Sequence, residues 1–171
     1  MKNALVIVFA FILFASAQPA QAQVKLKLGH INTNELMAMM PGRDTAEKAL
    51  EAYAKTLQDQ LLAMQNEINA KSIELEKAWE TLLPPVREAR QKELINMKNN
   101  FDEFQSTAQD ELSAKETELV KPLIDKAKKA IDEVAVEKGY TYIFDTGTGA
   151  VIYYSDSEDI MPLVKAKLGI Q

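Results

Sequence analysis

The chain has 171 residues, 47% hydrophobic and 26% charged, a balance that excludes a wholly disordered polypeptide and suits one ordinary domain. It has no cysteine, so disulfides, thiolate metal sites and cysteine nucleophiles are ruled out. Its single histidine, His30, cannot build a multi-histidine metal site within one subunit, and a formal net charge of −5 counts against nucleic acid as a main partner.

Residues 1–22 read as an address. Lys2 gives a short positive start, an apolar run follows from Ala4 to Ala15, and Ala20-Gln21-Ala22 matches a small-residue cleavage pattern. The run is shorter than the roughly 20 residues that span a bilayer. The expectation is a cleaved secretory signal and an exported, soluble chain that starts near Gln23 and carries a formal charge of −6 once Lys2 is gone.

The stretch KLKLGHI, Lys25–Ile31, has the alternation of a short strand. Asn32 followed by Glu35 has capping-box spacing, which predicts a short helix that Pro41-Gly42 ends. Met37, Met39 and Met40 on that helix are expected to pack within the small body of the protein. No glycine or proline then interrupts Arg43–Leu83 or Val86–Lys121, and Pro122 is expected to break the second run.

In the first run Leu50, Leu57, Leu61, Met64, Ile68, Leu75 and Leu82 recur at steps of three, four and seven, with Ala54 and Ala78 between. Leu94, Met97, Phe101, Phe104, Ala108, Leu112 and Leu119 do the same in the second. Each stripe marks one face of a helix, a coiled-coil-like seam with a lysine in or beside it, Lys71 and Lys115. Between the runs stands Pro84-Pro85. Leu83 and Pro84 each precede a proline and are pushed from the α region, and Pro85 suits the first position of a new helix. Reflection about the Pro84–Pro85 bond pairs Leu75 with Leu94, Ile68 with Phe101, Leu61 with Ala108, Leu57 with Leu112 and Leu50 with Leu119. The stripes meet, so an antiparallel hairpin is predicted, with arms about 55–60 Å long.

After the descending arm, Lys138-Gly139 carries the signal of a helix end. Tyr140–Asp145 and Ala150–Tyr154, separated by a Gly-containing turn, read as a β-hairpin. TGTG lacks the Lys and Ser/Thr of a phosphate loop and is read as that turn. A closing helix is expected from near Asp159, with Pro162 in its first turn. About three short strands and two short helices bury little apolar surface alone, so oligomerisation through this body is expected.

The order and spacing of KLGHINTNELMAMMPG, EKALEAYAKTLQDQLLAMQNEI, KPLIDKAKKAIDEVAVEKGYTYIFDTGTGAVIYYSDSEDI and LVKAKLGI resemble the Skp (OmpH) family of periplasmic chaperones of outer-membrane proteins. The resemblance covers essentially the whole mature chain. It implies a mainly α fold with a small β body: a long antiparallel helical hairpin, the tentacle, projecting from a short-stranded sheet or barrel through which three copies assemble. Residues 23–171 would form one chaperone domain, with body 23–42 and 122–171 and arm 43–121. The family's activity would make this a periplasmic, ATP-independent holdase that keeps unfolded outer-membrane proteins in a cavity between the arms. One departure is the acidic balance. Residues Gln65–Asn100 set six Glu against six Lys plus Arg, which counts against contact with lipopolysaccharide or a membrane surface.

Placing residues at about 100° each around a helix puts Leu62 and Ile73 opposite the first stripe and Ile95 well off the second. These three, with Trp79 at the seam edge near the tip, are the candidates for client contact, and Trp79 is read chiefly as tip packing. Leu28, Ile31, Tyr142, Phe144, Ile152 and Tyr154 are the candidates for the oligomer body. Phe101 and Phe104 belong to the seam, and His30 is read as structural. No catalytic, cofactor or metal site is expected, since no motif or nucleophile–base pair marks one, and helix-surface Glu and Lys account for most of the charge. The alternative class is an envelope coiled-coil structural or adaptor protein whose arms bind a folded partner.

Overall fold

A computed structural model of the chain describes residues 26–170; the expected signal segment lies outside the described residues. Strand β1 (Leu28–Ile31) leads into helix α1 (Thr33–Ala38), then α2 (Arg43–Ala78) and α3 (Pro84–Lys138). Strand β2 (Tyr142–Asp145), a single 3₁₀ turn (Asp156–Glu158) and helix α4 (Met161–Leu168) complete the fold. The molecule is mainly helical with a small β body, as the spacing of the stripes and turns implies.

Helix α1 starts where the capping box places it. Asn32 Oδ1 accepts from the backbone N–H groups of Asn34 and Glu35, and Asn32 Nδ2 donates to Glu35 Oε1 at 2.9 Å. Gly42, at φ 96°, takes the left-handed conformation that lets the chain swing from α1 into the arm. All the stripe residues of α2 and α3 are buried or half-buried, with Ile68 and Ala108 the most enclosed.

The reversal lies slightly earlier than expected. Leu83 alone is extended, at ψ 146°, and both prolines are already helical in the first turn of α3, where neither missing N–H has an intrahelical partner to lose. The turn is therefore Trp79–Leu83. Two cross-arm hydrogen bonds fix the register: Lys71 Nζ donates to Glu93 Oε1 at 3.0 Å, and Tyr53 OH donates to Glu111 Oε2 at 2.8 Å. Both links are centred on Leu82 rather than on the proline pair, so the pairing is displaced by a few residues from the reflection about Pro84–Pro85.

Pro122 does not end its helix. Helix α3 continues for 55 residues through it to Lys138, and Gly139 caps the end at φ 69°. An interior proline removes one backbone hydrogen bond and crowds the preceding turn, at about 3 kcal/mol. The compensation lies in the next turns. Ala127, Ala130 and Val134 are buried with Leu36 of α1, Met40 just after it, Ile31 of β1, and Ile160, Met161 and Val164 at the start of α4. This cluster is the core of the body, and it forms only if α3 stays helical past the proline. Met40 is in the core, Met37 packs on its edge, and Met39 is more exposed.

The predicted β-hairpin is absent. β2 pairs with β1, in parallel, with Leu28 opposite Tyr142 and Ile31 opposite Asp145. Residues 150–154 form no strand and leave Ile152 99% exposed. Their route explains this: instead of turning back along β2, the chain crosses to the other side of β1. There His30 Nε2 lies 2.8 Å from the Ser155 carbonyl, and Ile160 N–H donates to the His30 carbonyl at 3.0 Å. His30 is buried, its ring 4.6 Å from that of Tyr154, in keeping with a structural histidine. Gly29 is required in β1, because a Cβ there would meet the Tyr140 ring at 2.9 Å and Ile160 Cγ2 at 3.2 Å. The closing helix begins at Met161 with Pro162 in its first turn, after the 3₁₀ turn.

The TGTG segment is organised by Asp145. Its carboxylate accepts from Thr33 Oγ1 at 2.6 Å, from Thr33 N–H at 3.2 Å and from Gly147 N–H at 2.8 Å, tying β2 to the start of α1. Burial pushes this carboxyl up, but the hydrogen bonds from Thr33 and Gly147 together outweigh it and hold the group below its ordinary value.

Two outcomes follow. Pro122→Ala restores one helical hydrogen bond and should stabilise the protein by about 1–2 kcal/mol after the looser unfolded chain is allowed for, read as a raised urea midpoint. Asp145 binds its proton less readily folded than unfolded, so its contribution is complete above the unfolded value of about 4 and is lost as pH falls through the lower folded value. Urea midpoints should therefore drop on acidification from about pH 5 to about pH 3, and Asp145→Asn should shrink that drop.

Candidate functional site

The charge and apolar patterns of the arm determine what it presents to its surroundings. One face of each helix is spent on the seam, so any other apolar side chain must stand outside it. Leu62, Ile73 and Ile95 do so, at 59%, 51% and 57% exposure. They are spread along both helices. Leu83 and Val86, in and just after the turn, are also exposed and were not singled out from the sequence. The signal was present, since both flank the proline pair that no seam partner can cover.

Trp79 caps the C-terminus of α2 and is half-buried. The Arg87 guanidinium sits over its ring, 5.2 Å from the centroid, while Arg87 Nε donates to the Leu82 carbonyl at 2.9 Å. One arginine thus grips both the indole face and the turn backbone, a cation–π contact joined to a cap. The open side of the indole looks onto a shallow surface with Ser72, Leu75, Glu76 and Glu80.

The seam is polar at two levels. Lys71 hydrogen-bonds to Glu93 and its charge adds to that bond, so that the carboxyl titrates below its ordinary range. Near the root, the hydrogen bond to Glu111 leads in raising the Tyr53 phenol above its ordinary value, with burial and neighbouring carboxylates adding to it. Lys115 reaches toward the same ring, 6.0 Å from its centroid, while it pairs with Glu118 at 3.0 Å. Such solvated links contribute little energy each. They specify register, because a slip would leave them unmatched.

The body presents a second surface. Leu28, Tyr142 and Phe144 are 45%, 58% and 46% exposed, and the two rings stack at 6.4 Å between centroids. Tyr154, at 45%, and the fully exposed Ile152 continue it on the far side of β1. Ile31, by contrast, lies inside the protomer's own core at 1% exposure, so of the six body candidates it is the one with no free surface. A two-stranded sheet, bridged at His30 on the outer edge of β1 and open along β2, and five exposed large apolar or aromatic side chains form an incomplete structure that another backbone could complete.

Among the described residues no group of three or more His, Asp or Glu is placed to hold a metal ion. No described helix is long and apolar enough to cross a membrane. The arrangement offers dispersed, weak apolar contact on long arms and a sticky sheet face on the body.

Comparison with known proteins adds to this geometry. The family described as "Outer membrane protein (OmpH-like)" matches residues 27–168. The chaperone protein Skp of Pectobacterium atrosepticum is 23% identical over 144 residues, covering 84% of this chain and 86% of that protein. Its counterpart in Photorhabdus luminescens is 25% identical over 146 residues, covering 85% and 87%. An OmpH-like chain from Caulobacter crescentus superposes with a TM-score of 0.73 over 88% of both chains at 14% identity, a likeness of fold.

The tip offers a direct readout, because Trp79 is the single tryptophan. Arg87→Ala should loosen the turn and shift tryptophan emission to longer wavelength while leaving overall helicity unchanged. Unaltered emission would show that the guanidinium does not hold the indole.

Proposed function

This chain belongs to the OmpH-like outer membrane protein family, and from that membership we propose that it is a periplasmic holdase chaperone for unfolded outer-membrane proteins. It works without ATP, as a homotrimer that holds its clients between three arms. The residues divide the labour within one domain: the arm, 43–121, meets the client, and the body, 23–42 and 122–171, assembles the subunits. The segment 1–22 delivers the chain across the inner membrane and is removed.

The observation that carries this reading is the arm itself. A client without structure shares with other clients only exposed apolar side chains, so many weak and adaptable contacts serve better than one tight pocket. Leu62, Ile73 and Ile95 supply such contacts on a scaffold whose own seam is otherwise satisfied. The Gly147 N–H of the TGTG turn is taken up by the Asp145 carboxylate. Leu28, Tyr142, Phe144, Ile152 and Tyr154 form the subunit contact, because their burial is worth about 25 cal/mol for each Å² of apolar surface and the lone protomer leaves it in water.

The test dilutes a denatured β-barrel membrane protein into the mature chain without nucleotide and follows light scattering. Aggregation should be suppressed near one trimer per client, and the triple variant Leu62→Ser, Ile73→Ser, Ile95→Ser should protect several-fold less well at unchanged helicity. Normal aggregation in the presence of intact trimer would overturn the proposal. Mass and solution scattering check the assembly: a hollow trimer is expected, whereas an extended dimer of more than roughly 120 Å, two arms end to end, would contradict it. Tyr142→Lys should reduce the trimer to smaller species.

A further inference from the structure

Where the arm leaves the body, α1, α2 and α3 diverge around a cleft of about 360 Å³. Its origin is local. Gly42 turns the chain outward, α1 stays against α3, and the small side chains of Ala38 and Ala46 fail to fill the gap between them. Half-buried apolar side chains, among them Met37, Leu50, Leu119 and Leu123, form the lining. The volume falls at the small end of the range for ligand sites, roughly 300–1,000 Å³, enough for one large side chain and its flanking backbone.

The rim decides what can enter. Arg43 belongs to the lining, but its guanidinium is committed to the Ala38 carbonyl at 3.3 Å, where it closes the end of α1. It therefore does not pair with Glu47, one turn along the same helix. Among the described residues neither Glu47 nor Glu116 makes a salt bridge. Two carboxylates without an ion-pair partner thus stand at the mouth of an apolar cleft whose one lining cation, Arg43, is engaged by the Ala38 carbonyl. The surrounding arm has the same sign: residues 43–64 and 101–121 carry ten Asp and Glu against five Lys and Arg, whereas 65–100 are balanced. The arm's entire charge excess lies in its proximal half, just outward of the cleft: residues 51–64 and 101–113 set six Asp and Glu against one Lys, while 43–50 and 114–121 are balanced at four each.

Resting on the chaperone reading above, we infer that the arm-root cleft and the acidic proximal arm take unfolded segments in which a large apolar residue is flanked by lysine or arginine. The apolar side chain enters the cleft, and the flanking cations meet Glu47 and Glu116. An anionic amphiphile with the same apolar group would be repelled by these carboxylates, and so would a segment rich in Asp and Glu. The preference is electrostatic and fades with salt, because exposed charges are screened beyond about 10 Å at 0.1 M ionic strength.

The experiment titrates the assembled mature chain into two fluorescein-labelled peptides and reads anisotropy. Both peptides are extended and carry the same Phe and Leu; one has Lys and the other Glu between them. The Lys peptide should bind about tenfold more tightly at low salt, with the gap closing near 0.5 M NaCl. The double variant Glu47→Gln, Glu116→Gln should weaken the Lys peptide about threefold and leave the Glu peptide no weaker. Ala46→Phe, which fills the cleft, should weaken both. Equal affinities at low salt, or a preference untouched by the Gln variant, would overturn the inference. So would an Ala46→Phe variant that changes subunit mass but not peptide binding, since the cleft would then belong to a second copy. If the wild type protects a denatured β-barrel protein but shows no charge preference, only this inference falls; if it protects nothing, the chaperone reading falls with it.

Discussion

Burial of Ala127, Ala130 and Val134 against α1, β1 and α4 anchors one end of a 55-residue helix whose other end stands far from any core. That anchoring is the constraint on which the rest depends. The same helix is the centre of the body and the descending half of the arm, so the arm's direction is set by packing at its root. The small side chains at 127 and 130 let α1 and α4 come close, and the packing they allow outweighs the hydrogen bond lost at Pro122. Without it α3 would have reason to stop where the proline stands, and the body would lose its central wall.

Farther out, the energetics change character. The seam is narrow and interrupted by polar links, Lys71 to Glu93 and Tyr53 to Glu111. A coiled coil built for maximum stability would place apolar residues at those levels. Here the arm trades some stability for a fixed register, which keeps Leu62, Ile73 and Ile95 pointing away from the seam. At the tip the turn is closed by one arginine acting on the indole of Trp79 and on the Leu82 carbonyl, a compact device that needs no further core.

The two exposed apolar surfaces differ in kind, and the difference fits two tasks. On the body, Leu28, Tyr142 and Phe144 lie close together on a sheet with one free edge, the compact patch that the proposed subunit contact calls for. On the arm, the apolar residues are separated and surrounded by charge, which suits the transient contact proposed with a chain that has no shape of its own. The acidic charge of the proximal arm, against a neutral tip, gives the second surface a direction along its length.

Local pattern was enough for much of this. The stripes of α2 and α3, the capping box at Asn32, the C-cap at Gly139 and the exposure of Leu62, Ile73 and Ile95 all follow from helix periodicity and cap chemistry, which act within a few residues. Steric exclusion before proline located the reversal but placed it a few residues late, because the true pivot depends on which seam residues meet across the arm. Three features were decided only by the tertiary structure. Pro122 sits inside a helix because burial farther along the chain outweighs its local cost. Residues 150–154 have the composition of a strand yet form none, because the chain crosses to the far side of β1 instead of turning back along β2. Ile31 is sealed in the core rather than offered to a neighbour, because the direction of a strand's side chains is set by which face the helices cover. Sequence fixes what each segment prefers; the partners that packing supplies decide whether the preference is met.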